Sequence, residues 1–246
     1  MTHGSLFSGI GGFDLGAEMA GIDTIWNCEI EEFQRKILAK RFPNSKQYVD
    51  IRDMSNVEHV DVITGGFPCQ DISVANFKAK GIDGERSGLF REQIRIIGEV
   101  RPKYGIFENS PAILVRGFGK LLNEISELGY MCEWCCIPNS YLGFPHKRNR
   151  LYAVIYTNEN RRAKGVFFNR FFEKKRFEKR LLRKFDGIFS KSFWSEEYPK
   201  LCRMDNGIPE EVHRFESVGN AVNPYMAKAL FETIKRIEKE NERDNV

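Results

Sequence analysis

Apolar and polar positions change in short blocks along the first 156 residues, and each block has the length of one strand or one helix. Ser5-Leu6-Phe7 is a short apolar run closed by glycines, and helical spacing is predicted from Asp14 to Ala20. Thr24 to Cys28 predicts a second strand, and Glu31 to Arg41 a helix that breaks before Pro43. Tyr48-Val49 marks another extended segment, and Val60 to Gly66 is a strand running into a glycine turn. Leu89 to Val100 predicts a helix stopped by Pro102, Tyr104 to Glu108 a strand, and Gly117 to Leu128 a helix. Two further strands follow, Met131 to Ile137 and Arg150 to Tyr156. Such β-α repetition implies a doubly wound, mostly parallel α/β sheet with helices on both faces.

The rhythm stops at residue 157. Residues 157–202 read as a small separate region, and residues 203–246 as a C-terminal segment returning to the domain of residues 1–156. Apolar Met226, Ala229, Leu230, Ile234 and Ile237 predict a core-packed helix from Pro224 to Glu240. Residues Glu238 to Val246 read as a fraying charged tail.

Charge sharpens this division. Between Arg161 and Lys191 twelve Lys or Arg face three acids, a local net of +9 against +4 for the whole chain, so the remainder carries −5. A basic segment on a mildly acidic body is the footprint of a polyanion-binding face. Phe167, Phe168, Phe171, Phe172 and Phe177 among those charges favour a structured element over a loose tail. Hydrophobic residues at 41% and charged residues at 29% are those of a soluble protein, and no apolar run approaches the ~20 residues that cross a bilayer. With no basic-apolar leader at Met1-Thr2-His3-Gly4, a cytoplasmic location is expected. The six cysteines show no disulfide spacing; Cys132 and Cys135 form a C-x-x-C without a second pair, inside a stretch that alternates like a strand, so no metal is expected.

Ser8-Gly9-Ile10-Gly11-Gly12-Phe13 joins a strand to a helix, where a doubly wound sheet holds a nucleotide. A dinucleotide fingerprint needs Gly or Ala at position 14; Asp14 is awkward beside a pyrophosphate but tolerable near a sulfonium or an amino group. Glu29, ending the second strand, suits two ribose hydroxyls, and Asp50 an adenine amino group. Together these features favour an adenosine-containing cofactor.

Gly65-Gly66-Phe67-Pro68-Cys69-Gln70 presents a cysteine at the carboxyl edge of the sheet, in a turn unlike a core position. Glu108-Asn109 ends a neighbouring strand, so Cys69 and Glu108 form a candidate nucleophile and acid. Arg148 and Arg150, in His146-Lys147-Arg148-Asn149-Arg150, are placed to clamp a base oxygen, a phosphate or Glu108.

These blocks, in this order, resemble the cytosine-5 DNA methyltransferase family, and most closely its compact phage-type members. Leu6 to Gly12 is similar to its cofactor loop, Gly66 to Gln70 to its nucleophile loop, and Glu108-Asn109 to its Glu-Asn-Val motif. His146 to Arg150 is similar to its Gln-x-Arg-x-Arg motif, and Gly219-Asn220-Ala221-Val222 to its C-terminal motif. The resemblance implies S-adenosylmethionine as methyl donor, duplex DNA as substrate, a flipped-out cytosine, and a Rossmann-like fold with a small target-recognition insert. It implies catalytic roles for Cys69, Glu108, Arg148 and Arg150. Its cofactor contacts fall on Phe7, Ser8, Gly9, Gly11, Gly12, Glu29, Asp50, Ile51, Pro68 and Asn220. Residues 71–88, with three glycines, read as a loop closing over the base. A monomer is expected, with a cognate restriction endonuclease left open as a further partner. An RNA cytosine-5 methyltransferase, a catalytically silent nucleic-acid binder and a nicotinamide oxidoreductase remain the rival readings.

Overall fold

The computed structural model describes residues 1–68, 89–144, 148–157, 166–173 and 221–243. Cys69, the loop 71–88, His146, Asn220 and most of the basic segment lie outside the described residues. Seven strands form one sheet: β1 Thr2–Leu6, β2 Asp23–Cys28, β3 Lys46–Tyr48, β4 Val62–Gly65, β5 Tyr104–Asn109, β6 Tyr130–Pro138 and β7 Asn149–Thr157. Their order is β3-β2-β1-β4-β5-β7-β6. The first five are parallel, β7 runs antiparallel to β5, and β6 antiparallel to β7. The chain therefore has the Rossmann-like, mostly parallel α/β fold that its β-α rhythm predicts.

Helices cover both faces. Against one face lie α3 (Phe90–Val100) and α4 (Phe118–Glu127), whose Phe90, Ile97, Leu121 and Ile125 meet Leu6, Ile63 and Phe107 of the strands. Against the other lie α1 (Gly12–Met19), α5 (Phe167–Glu173) and α6 (Pro224–Arg243), whose Phe13, Phe167, Leu230 and Phe231 meet Val62, Ile106 and Val154. The short α2 (Glu32–Arg41) buries only Leu38. β4 and β5 are buried at every residue, as strands covered on both faces must be.

Two details differ from the sequence reading. Helix α6 runs to Arg243, beyond the point where a fraying tail was expected. Its last turns are tied down: Tyr104 Oη donates to Glu238 Oε1 at 2.9 Å, and Arg170 pairs with Glu240 at 3.2 Å. The one described stretch of the basic segment, α5, is docked on the sheet and on α6. Phe167, Phe168 and Phe171 are buried there, and the Phe167 backbone N–H donates to Glu133 Oε1 at 3.2 Å. Arg170 is held by Glu173 of its own helix and by Glu240 of α6.

Alternation along β6 decides the fate of the C-x-x-C. Cys132 and Cys136 pack on the α3–α4 face and Cys135 on the opposite one, so an odd spacing in a strand parts the sulfurs. Burial pushes the Cys132 thiol up to about 12, and Cys28 likewise, which leaves both as inert packing groups. No helix among the described residues is long and apolar enough to cross a membrane.

Candidate active site

Parallel pairing of β1, β4 and β5 brings their carboxyl ends to one edge, and the segments that follow carry most of the predicted site residues. Antiparallel β7 delivers its amino end to that same edge. Glu108 lies opposite Tyr152 and Asn109 opposite Leu151, which sets Arg150 beside the end of β5.

After β1 the chain turns sharply. Phe7 has φ 52°, Gly9 56° and Gly11 86°, left-handed conformations that suit glycine. Ser8 Oγ donates within the turn, to Ser5 Oγ at 2.9 Å, and the Gly11 N–H closes it onto Ser8 O at 2.9 Å. Gly11 caps α1, and Gly12 packs against the carbonyl of Val222, the last residue of the C-terminal motif.

Glu29 joins this loop to β2. Its Oε2 accepts the Gly9 N–H at 2.7 Å, and its Oε1 accepts the Glu31 N–H at 2.9 Å. Burial raises its pKa, while those N–H groups pull it back. One backbone bond per oxygen leaves each with a lone pair for a ligand hydroxyl. Asp50 caps the turn Ile51–Asp53 through the Arg52 N–H at 2.9 Å. Arg52 also binds its carboxylate side-on, Nε at 3.0 Å from both oxygens, and lowers its pKa. Arg52 went unread in the sequence; the signal was an arginine two residues after the acid. Ile51 is buried, whereas Ile30 and Val49, each beside one of the acids, are more than half exposed. Apolar side chains beside two carboxylates suit a flat base joined to a sugar.

Asp14 does not face this site. It is fully buried beneath the loop, near the Ser5 hydroxyl and the Asn27 amide, but neither oxygen accepts a well-formed hydrogen bond among the described residues. Asn27, buried as well, also lacks a well-formed hydrogen bond among the described residues. Burial drives the Asp14 carboxyl up to about 7, which the Ser5 hydroxyl and the Asn27 amide offset only in part.

At the other end of the edge, Glu108 is buried, and its Oε1 lies 3.0 Å from Arg150 Nε. Burial raises its pKa, opposed by the charges of Arg150 and Arg148. The net direction favours a carboxyl that holds its proton above the usual carboxylate range. Asn109 donates from Nδ2 to the Phe67 carbonyl at 3.1 Å and accepts the Ser110 N–H on Oδ1 at 2.8 Å. One side chain thus fixes the end of β5 to the turn entering Pro68, the residue before Cys69. Only the adjacency of Glu108 and Asn109 at a strand end hinted at this clamp.

Known proteins resemble the chain in sequence and in fold. The chain is 37% identical over 173 residues to the type II methyltransferase M2.BsuMI of Bacillus subtilis, covering 67% of this chain and 44% of that protein. It is 34% identical over 224 residues to M.Sau3AI of Staphylococcus aureus, covering 81% and 52%. The chain thus spans about half the length of the curated relatives it matches. Among solved structures, a prophage-encoded protein of E. coli, assigned as a DNA modification methyltransferase, superposes with TM-score 0.56 at 25% identity, over 65% of this chain and 48% of that one. Spodoptera frugiperda DNMT2 shares the fold at TM-score 0.52 and 22% identity, over 64% and 50%. A family model for C-5 cytosine-specific DNA methylases matches residues 1–198. With four-fifths of its length inside that match, the chain belongs to the C-5 cytosine-specific DNA methylase family.

Proposed function

We propose that the chain transfers a methyl group from S-adenosylmethionine to carbon 5 of a flipped-out cytosine in duplex DNA, with Cys69 as nucleophile. The observation that carries this reading is Glu108: a buried acid, its pKa raised, held by Arg150 and joined through Asn109 to the turn entering Cys69. Carbon 5 of cytosine is a weak nucleophile. Addition of the Cys69 thiolate to carbon 6 breaks the 5,6 double bond and moves its electrons toward ring nitrogen 3. The Glu108 carboxyl supplies the proton or hydrogen bond that nitrogen 3 then requires. Arg150 orients Glu108, and Arg148 adds positive charge beside it. Carbon 5, now enamine-like, takes the methyl group, which is what the cofactor supplies. Loss of the carbon 5 proton to solvent restores the 5,6 double bond and expels Cys69 as thiolate, and nitrogen 3 returns its proton to Glu108.

The loop residues Phe7, Ser8, Gly9, Gly11 and Gly12, with Glu29, Asp50, Ile51, Pro68 and Asn220, are proposed to hold the cofactor. Open space above Gly9, the lone pairs left on Glu29 and the exposed Ile30 and Val49 fit its adenosine part. Glu29→Ala is expected to weaken S-adenosylmethionine binding by roughly 1–3 kcal/mol, since ribose hydroxyls and the Gly9 N–H lose their acceptor. Calorimetric titration of the folded variant checks this; unchanged affinity removes Glu29 from the site.

Residues 157–202 are proposed to recognise the target, with α5 anchoring that region to the body. The protein is read as a cytoplasmic monomer, and relatives named as type II methyltransferases support a cognate restriction endonuclease. Fluorine at carbon 5 cannot leave as a cation, so 5-fluorocytosine halts the reaction with protein attached. A random duplex library carrying this base, with S-adenosylmethionine, is expected to give a complex that survives denaturing electrophoresis and vanishes in Cys69→Ala. Trapping on fluorinated RNA alone points to an RNA enzyme. Reversible binding without trapping points to a silent binder.

A further inference from the structure

The glycine pair at the end of β4 suggests a turn, yet neither Gly65 nor Gly66 has positive φ. Their backbone conformations are open to other residues, so the requirement for glycine is one of space. A Cβ on Gly65 would lie 2.5 Å from Gln93 Oε1, on the face covered by α3. A Cβ on Gly66 would lie 2.8 Å from Glu108 Oε2, with the Glu108 Cβ and carbonyl at ordinary distances of 3.8 and 3.7 Å. Among the described residues, only the tip of the Glu108 side chain occupies that space.

We propose that Gly66 is a positioning residue for the acid: its missing side chain is the seat of Glu108 Oε2. Arg150 holds the other oxygen, Oε1, and a guanidinium donating there disfavours a proton on that atom. The proton of the neutral acid therefore belongs on Oε2, the oxygen that rests over Gly66. A methyl group at position 66 forces that oxygen away, and the carboxyl must rotate about its bond to Arg150 or leave it. Stability is little affected, because the obstructed atom is the free end of a flexible side chain. Alignment of the acid is affected directly, and catalysis is steep in alignment. The glycine before the cysteine turn thus shapes the acid on the neighbouring strand.

This assignment rests on the proposed chemistry of Glu108 but is tested partly without it. With glutamate side chains carrying 13C at Cδ, and the Glu108 signal identified by its loss in Glu108→Gln, Gly66→Ala is expected to displace the Glu108 titration. The signal of Glu29 is expected to stay in place. Methyl transfer at saturating S-adenosylmethionine is expected to slow by about ten- to a hundredfold, with cofactor affinity and thermal midpoint unchanged. Glu108→Asp, one methylene shorter, withdraws the carboxyl from the obstruction, so Gly66→Ala added to Glu108→Asp is expected to cost less than twofold more. An unmoved Glu108 titration, or full additivity of the two substitutions, overturns the proposal. A displaced titration in a protein that methylates no cytosine leaves the seat standing and overturns the methyl-transfer reading instead.

Discussion

Glu108→Gln is expected to slow single-turnover methyl transfer by roughly 10²–10⁴-fold, the range over which a positioned general acid contributes. The substitution is nearly isosteric with the protonated acid, so Arg150 keeps an oxygen to bind and the Asn109 clamp is untouched. A hydrogen bond to ring nitrogen 3 also survives, because the amide N–H donates. What disappears is a transferable proton at the moment electrons arrive on that nitrogen. Cofactor affinity, set at the β1–β2 end of the edge, is expected to be unchanged. The pH profile provides a second reading of the same group. Burial raises the Glu108 pKa, and the acid form is the active one. The wild-type rate is therefore expected to fall as pH rises through that pKa, and this limb is expected to be absent from Glu108→Gln. Rapid-quench transfer of a labelled methyl group across pH measures both. A variant within threefold of wild type, or one with an unchanged high-pH limb, removes Glu108 as the acid.

Much of this site is visible in the chain because strands buried on both faces read as apolar runs, and their ends read as breaks in those runs. Phe7-Ser8-Gly9, Gly66-Phe67-Pro68 and Glu108-Asn109 each follow such a run, so their shared edge follows from parallel pairing alone. Arg150 does not follow from that rule. It precedes its strand, and it reaches the edge only because β7 enters the sheet antiparallel between β5 and β6. Nothing in the local pattern of β6 and β7 announces that inversion. The glycine pair is read correctly as special but for a different reason, because a requirement for space involves a partner forty-two residues away at Glu108. Asp14 is the reverse case. Its place in the loop motif suggests a ligand, whereas the phase of α1 turns it into the core, toward Asn27. The phenylalanines of α5 do signal order, and the surrounding arginines and lysines conceal that this piece belongs to the body.

Two buried titratable groups near β1 are expected to give the fold an unusual dependence on pH. His3 bridges Thr24 and Thr64 at 2.9 and 2.8 Å and meets Phe231 edge-on. Burial lowers its pKa from 6.5 to about 3. Between those values the unfolded chain binds a proton that the folded chain refuses, so this contribution is complete above pH 6.5 and is lost as pH falls toward 3. Asp14 has the opposite sign. Its pKa rises from 3.8 to about 7, so the folded chain holds a proton the unfolded one has released. Its contribution is complete below pH 3.8 and is lost as pH rises through 7. Each slope is about 1.4 kcal/mol per pH unit, and the two oppose each other over the window they share. Asp14→Asn removes only the second. At pH 5 the folded wild-type carboxyl is neutral, like the amide, but the unfolded one is already ionised, so the variant is expected to be more stable by about 1–2 kcal/mol. At pH 8 the wild type carries a buried charge, and the variant's advantage is expected to grow by a further ~2–3 kcal/mol. Urea denaturation at both pH values, with the slope against denaturant compared as a check on the unfolded state, measures the difference. An equal difference at pH 5 and pH 8 means that Asp14 does not change its ionisation between them, and that its burial is relieved by contacts outside the described residues.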